Sequence, residues 1–160
     1  MTATYDCIAT TTLGSAQASV TFSSISGSYT DLVLVIGGAL SSSDGPTLQF
    51  NNDTGSNYSD TFLYGNGSSA TSGRNSSQSE MAIGYMDTGQ SNMIVHIMNY
   101  ANTTTYKTAL GRGNAPAALT IARVGLWRST AAISTIKVKL SGVLTFNSGS
   151  TFTLYGIKAE

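Results

Sequence analysis

Between Ile136 and Leu140 the apolar residues Ile136, Val138 and Leu140 alternate with Lys137 and Lys139, and a second alternating run spans Thr151 to Ile157. A period of two is that of an extended strand with one buried and one wet face. Asn147 to Ser150, lying between the runs, carries the Asn, Ser and Gly suited to a turn. The chain stops just after the second run, and a frayed apolar end would be an aggregation hazard. The pattern therefore predicts that Thr151 to Ile157 is docked in a sheet and that the fold is all-β.

The rest of the sequence supports that class. The other expected strands are Cys7 to Leu13, Ser19 to Ile25, Asp31 to Gly37, Thr47 to Phe50, Met81 to Tyr85, Asn92 to Tyr100, Thr105 to Gly111, Leu119 to Trp127 and Ile133 to Leu140. Asn114 to Arg128 comes nearest to a helical period, but β-branched Thr120, Ile121 and Val124 after Pro116 favour a strand from Leu119. Short strands this closely spaced predict an antiparallel β-sandwich, jelly-roll-like, over residues 1–160 as one domain. Leu32 to Ile36 and Met93 to Met98 are apolar on both faces, so a loop or another subunit is expected to cover the face turned from the core. A long polar loop is expected at about 51–80, where apolar side chains occur mainly at Tyr58 and Phe62 to Tyr64.

Composition narrows the function classes. Charged side chains make up 10% of the chain, against roughly a quarter in ordinary globular domains. Eight basic and eight acidic residues cancel, leaving no electrostatic footprint for nucleic acid or an anionic membrane. Low net charge with abundant Ser, Thr, Asn and Gly suits self-association. Cys7 is the single cysteine, so no intrachain disulfide and no cysteine metal site can form. The N-terminal sequence has no signal-peptide pattern, and no apolar run reaches the ~20 residues of a membrane span. The expectation is a chain made in a cytoplasm and soluble there, without membrane insertion.

No catalytic constellation can be assembled. The only histidine, His96, sits inside an apolar strand, and the acids are scattered, so neither a triad nor a zinc cluster is expected. The chain is read as no enzyme, with no cofactor. Asn51 to Asp60 offers oxygen ligands for a hard cation, but turn hydrogen bonding explains the same Asn and Asp residues. Candidate subunit or partner contacts are Val33, Val35, Ile94 and His96 on the two-faced strands, with Trp127 and Arg128 as an interface anchor or cation–π pair. For Trp127 a core position is the leading reading. Tyr58, Tyr64, Asn66 and Arg74 are the candidate surface-recognition residues of the long loop, and its tyrosines could stack on sugars or simply pack.

The segments YTDLVLVIGG (Tyr29 to Gly38), FNNDTGSNYS (Phe50 to Ser59), NYANTTTYKT (Asn99 to Thr108), GLWRSTAAISTI (Gly125 to Ile136) and GSTFTLYGIKA (Gly149 to Ala159) occur in this order. Together they resemble a family of small virion proteins of tailed bacteriophages, with the closing GSTFTLYGIK the most specific part. The resemblance implies a virion structural role on a β-sandwich and transfers no catalytic residue. Two expectations follow. The first is a capsid decoration (cement) protein that binds the outer head surface as a homotrimer, with the major capsid protein as partner, assembled in the bacterial host cytoplasm. The alternative is a tail-fibre or tail-tip protein that binds host surface glycans.

Overall fold

The computed structural model describes residues 4–158 and, among them, contains strands but no helix. The strands are β1 (Tyr5–Thr12), β2 (Ser19–Phe22), β3 (Asp31–Gly38), β4 (Thr47–Phe50), β5 (Tyr58–Gly65), β6 (Ala70–Gln78), β7 (Met81–Ala82), β8 (Ser91–Met98), β9 (Lys107–Ala115), β10 (Leu119–Trp127), β11 (Ile136–Lys139) and β12 (Thr151–Ile157). They form an eight-stranded sheet ordered β1-β12-β3-β8-β9-β10-β5-β6 and a four-stranded sheet ordered β2-β11-β4-β7. Every strand pairing is antiparallel. The expected antiparallel β-sandwich is the fold.

Alternation sets the core. The inner faces of β3, β8 and β12 contribute Leu32, Leu34, Ile36, Met93, Val95, Ile97, Phe152 and Leu154. They pack against Val20 and Phe22 of β2, Leu48 and Phe50 of β4, and Ile136 and Val138 of β11 in one buried cluster. At ~2 kcal/mol per fully buried large aliphatic or aromatic side chain, this cluster is the main term favouring the fold. The lysines of β11 point outward as the alternation requires, and Lys139 pairs with Glu80 at 2.6 Å. β12 lies between β1 and β3, so its alternating run is paired on both edges.

β4, β10 and β12 match the expected strands residue for residue. The long polar loop expected at 51–80 is corrected by the structure: β5 and β6 form a hairpin there, paired from Gly65 with Ala70 down to Asp60 with Asn75. Its turn is held by Asn66, whose Oδ1 accepts from the backbone N–H groups of Ser68 and Ser69, with Gly67 at φ 86°. β6 reads ATSGRNSSQ, with no large apolar side chain to betray a strand. Hydrogen bonding to β5 holds it, and the Phe62 ring lies over Gly73, close enough that a Cβ there would stand 2.6 Å from the ring.

Candidate functional site

The face of the large sheet turned away from the core is apolar at its centre. Cross-strand register places Val33 opposite His96 and Val35 opposite Ile94. The row continues through Leu110 beside His96 and Arg112 beside Ile94 on β9, then Val124 and Ala122 on β10, then Thr61 and Leu63 on β5. An antiparallel sheet with one face on the core ordinarily turns a polar face to water. Here Val124 and Leu63 are 50% and 62% exposed, whereas Val33 at the centre is only 4% exposed. Four of the expected contact residues, Val33, Val35, Ile94 and His96, are thus brought together on one surface.

Two depressions mark this face. One, of about 640 Å³, is lined by Leu63, Ile94, Arg112, Thr120 and Ala122, with Ala70 at its rim. The other, of about 230 Å³, lies towards β1 and is lined by Tyr5, Asp31, His96, Met98, Leu110 and Ile157. Arg112 is exposed and forms no ion pair among the described residues. Sequence reasoning missed Leu110, Arg112, Val124 and Leu63. For Leu110 and Arg112 the signal was an inverted alternation on β9, where Ala109 and Gly111 face the core and these larger residues face out.

Trp127 takes the core position, and its roles as an interface anchor and as a cation–π partner of Arg128 are corrected. Trp127 is 2% exposed on the inner face, stacked on Tyr58 with ring centres 6.2 Å apart and 5.5 Å from the Phe50 ring. Its indole Nε1–H donates to Asp53 Oδ2 at 2.7 Å. Arg128 points to the other face and donates through Nη2 to Ser59 Oγ at 2.9 Å, so the two side chains form no cation–π pair. That contact belongs to Arg123, whose guanidinium lies 4.7 Å from the Phe62 ring centre.

The recognition-loop reading is corrected in the same way. Tyr58 is fully buried and accepts from the Phe50 N–H at 3.0 Å. Burial, opposed by that hydrogen bond and reinforced by the nearby Asp53 charge, pushes its hydroxyl up to about 12. Tyr64 stacks on Phe62 at 6.1 Å on the inner side of the hairpin, Asn66 is spent on the turn, and Arg74 is exposed on the opposite face. These four residues do not converge on one site.

Nor do the oxygens of Asn51 to Asp60. Asn51 Oδ1 accepts from the Ser134 and Thr135 backbones, while Asp60 takes Arg123 and Asn75. Asp53 accepts from Trp127, Asn57 and the Gly55 N–H. No group of three or more His, Cys, Asp or Glu that could hold a metal occurs among the described residues.

Burial alone would raise the Asp53 carboxyl, but the hydrogen bonds from Trp127, Asn57 and Gly55 outweigh it and hold the group below its usual range. The stabilisation is present above the unfolded value of about 3.9 and is lost as pH falls through the lower folded value. Asp53→Asn is therefore expected to flatten the acid limb of stability below about pH 4. Urea melts from pH 2 to 7 check this, and parallel curves for variant and wild type would contradict it.

No protein-family model and no curated protein matches the chain. Among solved structures, the crystal structure of Caenorhabditis elegans galectin LEC-6 aligns at 8% identity with a TM-score of 0.39, covering 87% of this chain and 92% of that one. The structure of alginate lyase Aly36B aligns at 11% identity with a TM-score of 0.37, covering 92% of this chain and 77% of that one. At these scores neither likeness carries an argument about function, and the fold assignment rests on the chain's own strand order.

Proposed function

We propose that this chain is a structural protein of a tailed-phage virion, a decoration protein that lies on the outer surface of the head and strengthens it. The observation that carries the reading is the apolar outer face of the large sheet, where half-buried Val35, Ile94 and Leu110 run out to exposed Leu63 and Val124. A patch of this kind marks a protein–protein contact more often than a solvated surface. The ordered segments that resemble small phage virion proteins support the same assignment, and the low charge suits lasting attachment. Many copies bound side by side would reinforce a shell by avidity, without one strong site.

The test mixes purified protein with undecorated heads and follows co-sedimentation and survival on heating. Wild-type protein is expected to bind and protect. The double variant Val35→Asp with Ile94→Asp is expected to bind at least about tenfold more weakly, because a desolvated carboxylate on the contact face costs several kcal/mol. Labelled protein should spread over the head in images of intact particles. Label confined to the tail end, or retention on host glycans with no binding to heads, overturns the decoration reading in favour of a tail protein.

A further inference from the structure

The eight-stranded sheet ends in β6, which is paired on one side only. The turn bond from the Asn66 N–H to the Ser69 carbonyl makes that pair hydrogen-bonded. By alternation Tyr64 with Thr71, Phe62 with Gly73 and Asp60 with Asn75 are then hydrogen-bonded pairs. Ala70, Ser72 and Arg74 are left with their N–H and C=O groups directed away from β5. Native edges are ordinarily blunted by Pro, Lys, a bulge or an inward-pointing charge. The stretch from Ala70 to Asn75 has no Pro, Lys, bulge or inward-pointing charge; its one charge, Arg74, lies on the outer face. Its bulge comes only beyond Asn75, where Ser77 takes φ 55° and the register with β5 shifts. The other edge, β1, is interrupted mid-strand between Cys7 and Ala9 and carries the Asp6–Lys158 ion pair at its start.

The β6 edge is also held rigid. Asn75 Nδ2 donates to both Asp60 oxygens at 3.2 Å, Arg123 holds Asp60 at 2.6 Å, and Phe62 covers Gly73. A strand fixed in this way loses little entropy when another strand docks.

We propose that β6 pairs antiparallel with β6 of a second copy about a two-fold axis at Ser72, joining the two large sheets into one. Ser72 then faces the partner's Ser72, and Ala70 faces the partner's Arg74. The two guanidiniums are kept off directly opposite positions, which a register centred on Arg74 would force together. The three outward residues of each copy exchange on the order of six hydrogen bonds. The second copy is preferred to a foreign strand because β6 meets itself in this register without conflict: Ser72 opposes the partner's Ser72, and the one charge, Arg74, opposes the partner's small uncharged Ala70. The pairing is independent of the virion reading and gives a two-fold, not a three-fold, contact.

Sedimentation velocity on the purified chain tests it. Wild type is expected at twice the 16.6 kDa chain mass. Ser72→Pro removes an outward N–H but no bond to β5, so it should sediment as a folded monomer whose melting temperature, unlike that of the wild type, does not rise with protein concentration. Ser72→Ala keeps the N–H and should remain a dimer. Should the proline variant fail to fold, hydrogen exchange of the wild type decides: the Ala70, Ser72 and Arg74 amides should exchange at least about tenfold slower at high than at low protein concentration. A wild-type monomer or trimer, a dimeric proline variant, or fast exchange at those three amides regardless of concentration overturns the proposal.

Discussion

Gly111→Val is expected to lower the melting temperature by about 6–12 °C or more, or to leave the protein insoluble. Gly111 is on the inner face of β9, where the register sets it opposite Val95 and Arg123. A Cβ there would stand 2.0 Å from the Ile83 carbonyl oxygen and 2.9 Å from its carbon. Those are backbone atoms, and the Ile83 N–H is bound to the Pro46 carbonyl at 3.0 Å just after β7 pairs with β4. No rotamer relieves the clash, so β7 and β9 must separate. Overpacking of a core costs about 1–3 kcal/mol when side chains can shift and more when a backbone must. With about 2–4 °C lost per kcal/mol in a domain of this size, a cost above 3 kcal/mol gives the stated drop. Thermal unfolding followed by circular dichroism measures it, and a melt within 2 °C of wild type would show that the sheets separate freely here.

Asp60→Ala carries the second large effect. Asp60 is buried on the inner face of β5, with Arg123 Nη1 at 2.6 Å and Asn75 Nδ2 at 3.2 Å. Arg123 is itself largely buried, and its Nε already lacks a partner among the described residues. Removing the carboxylate strands a guanidinium under the hairpin. Breaking a buried ion pair from one side costs about 3–5 kcal/mol, because the remaining charge keeps its desolvation cost without its attraction. Arg123→Met in the Asp60→Leu background removes both charges and should recover most of the loss. Urea midpoints of the single and double variants measure both steps. A single variant as stable as wild type, or a double variant no better than the single, would refute the account.

Much of the fold is legible in the sequence because period-two patterning is local. Thr47–Phe50, Leu119–Trp127 and Thr151–Ile157 are bounded by turn residues and carry their own alternation, so their limits follow from the chain itself. The hairpin at β5 and β6 is different. Tyr58, Asp60, Phe62 and Tyr64 do alternate, but Asp60 interrupts the apolar set and β6 supplies no apolar side chain at all. What makes β6 a strand is the ladder to β5 and the Asp60, Asn75 and Arg123 contacts, which join residues far apart in sequence.

The candidate surface divides along the same line. That Val33, Val35, Ile94 and His96 needed cover on a second face could be read from two strands apolar on both sides. Which residues they meet there, and that Leu110, Arg112, Val124 and Leu63 extend the patch, depends on strand order in the sheet. Trp127 and Tyr58 show the limit most plainly. Alternation tells which residues share a face but not which face turns inward, and these two stack beneath the sheet. The sequence by itself determined an all-β chain, several of its strands and the two-sided character of β3 and β8. Only the tertiary structure decided which faces lie in the core, that a polar segment completes the sheet as its edge, and that scattered apolar residues form one exposed surface, because those facts reside in pairings between distant segments.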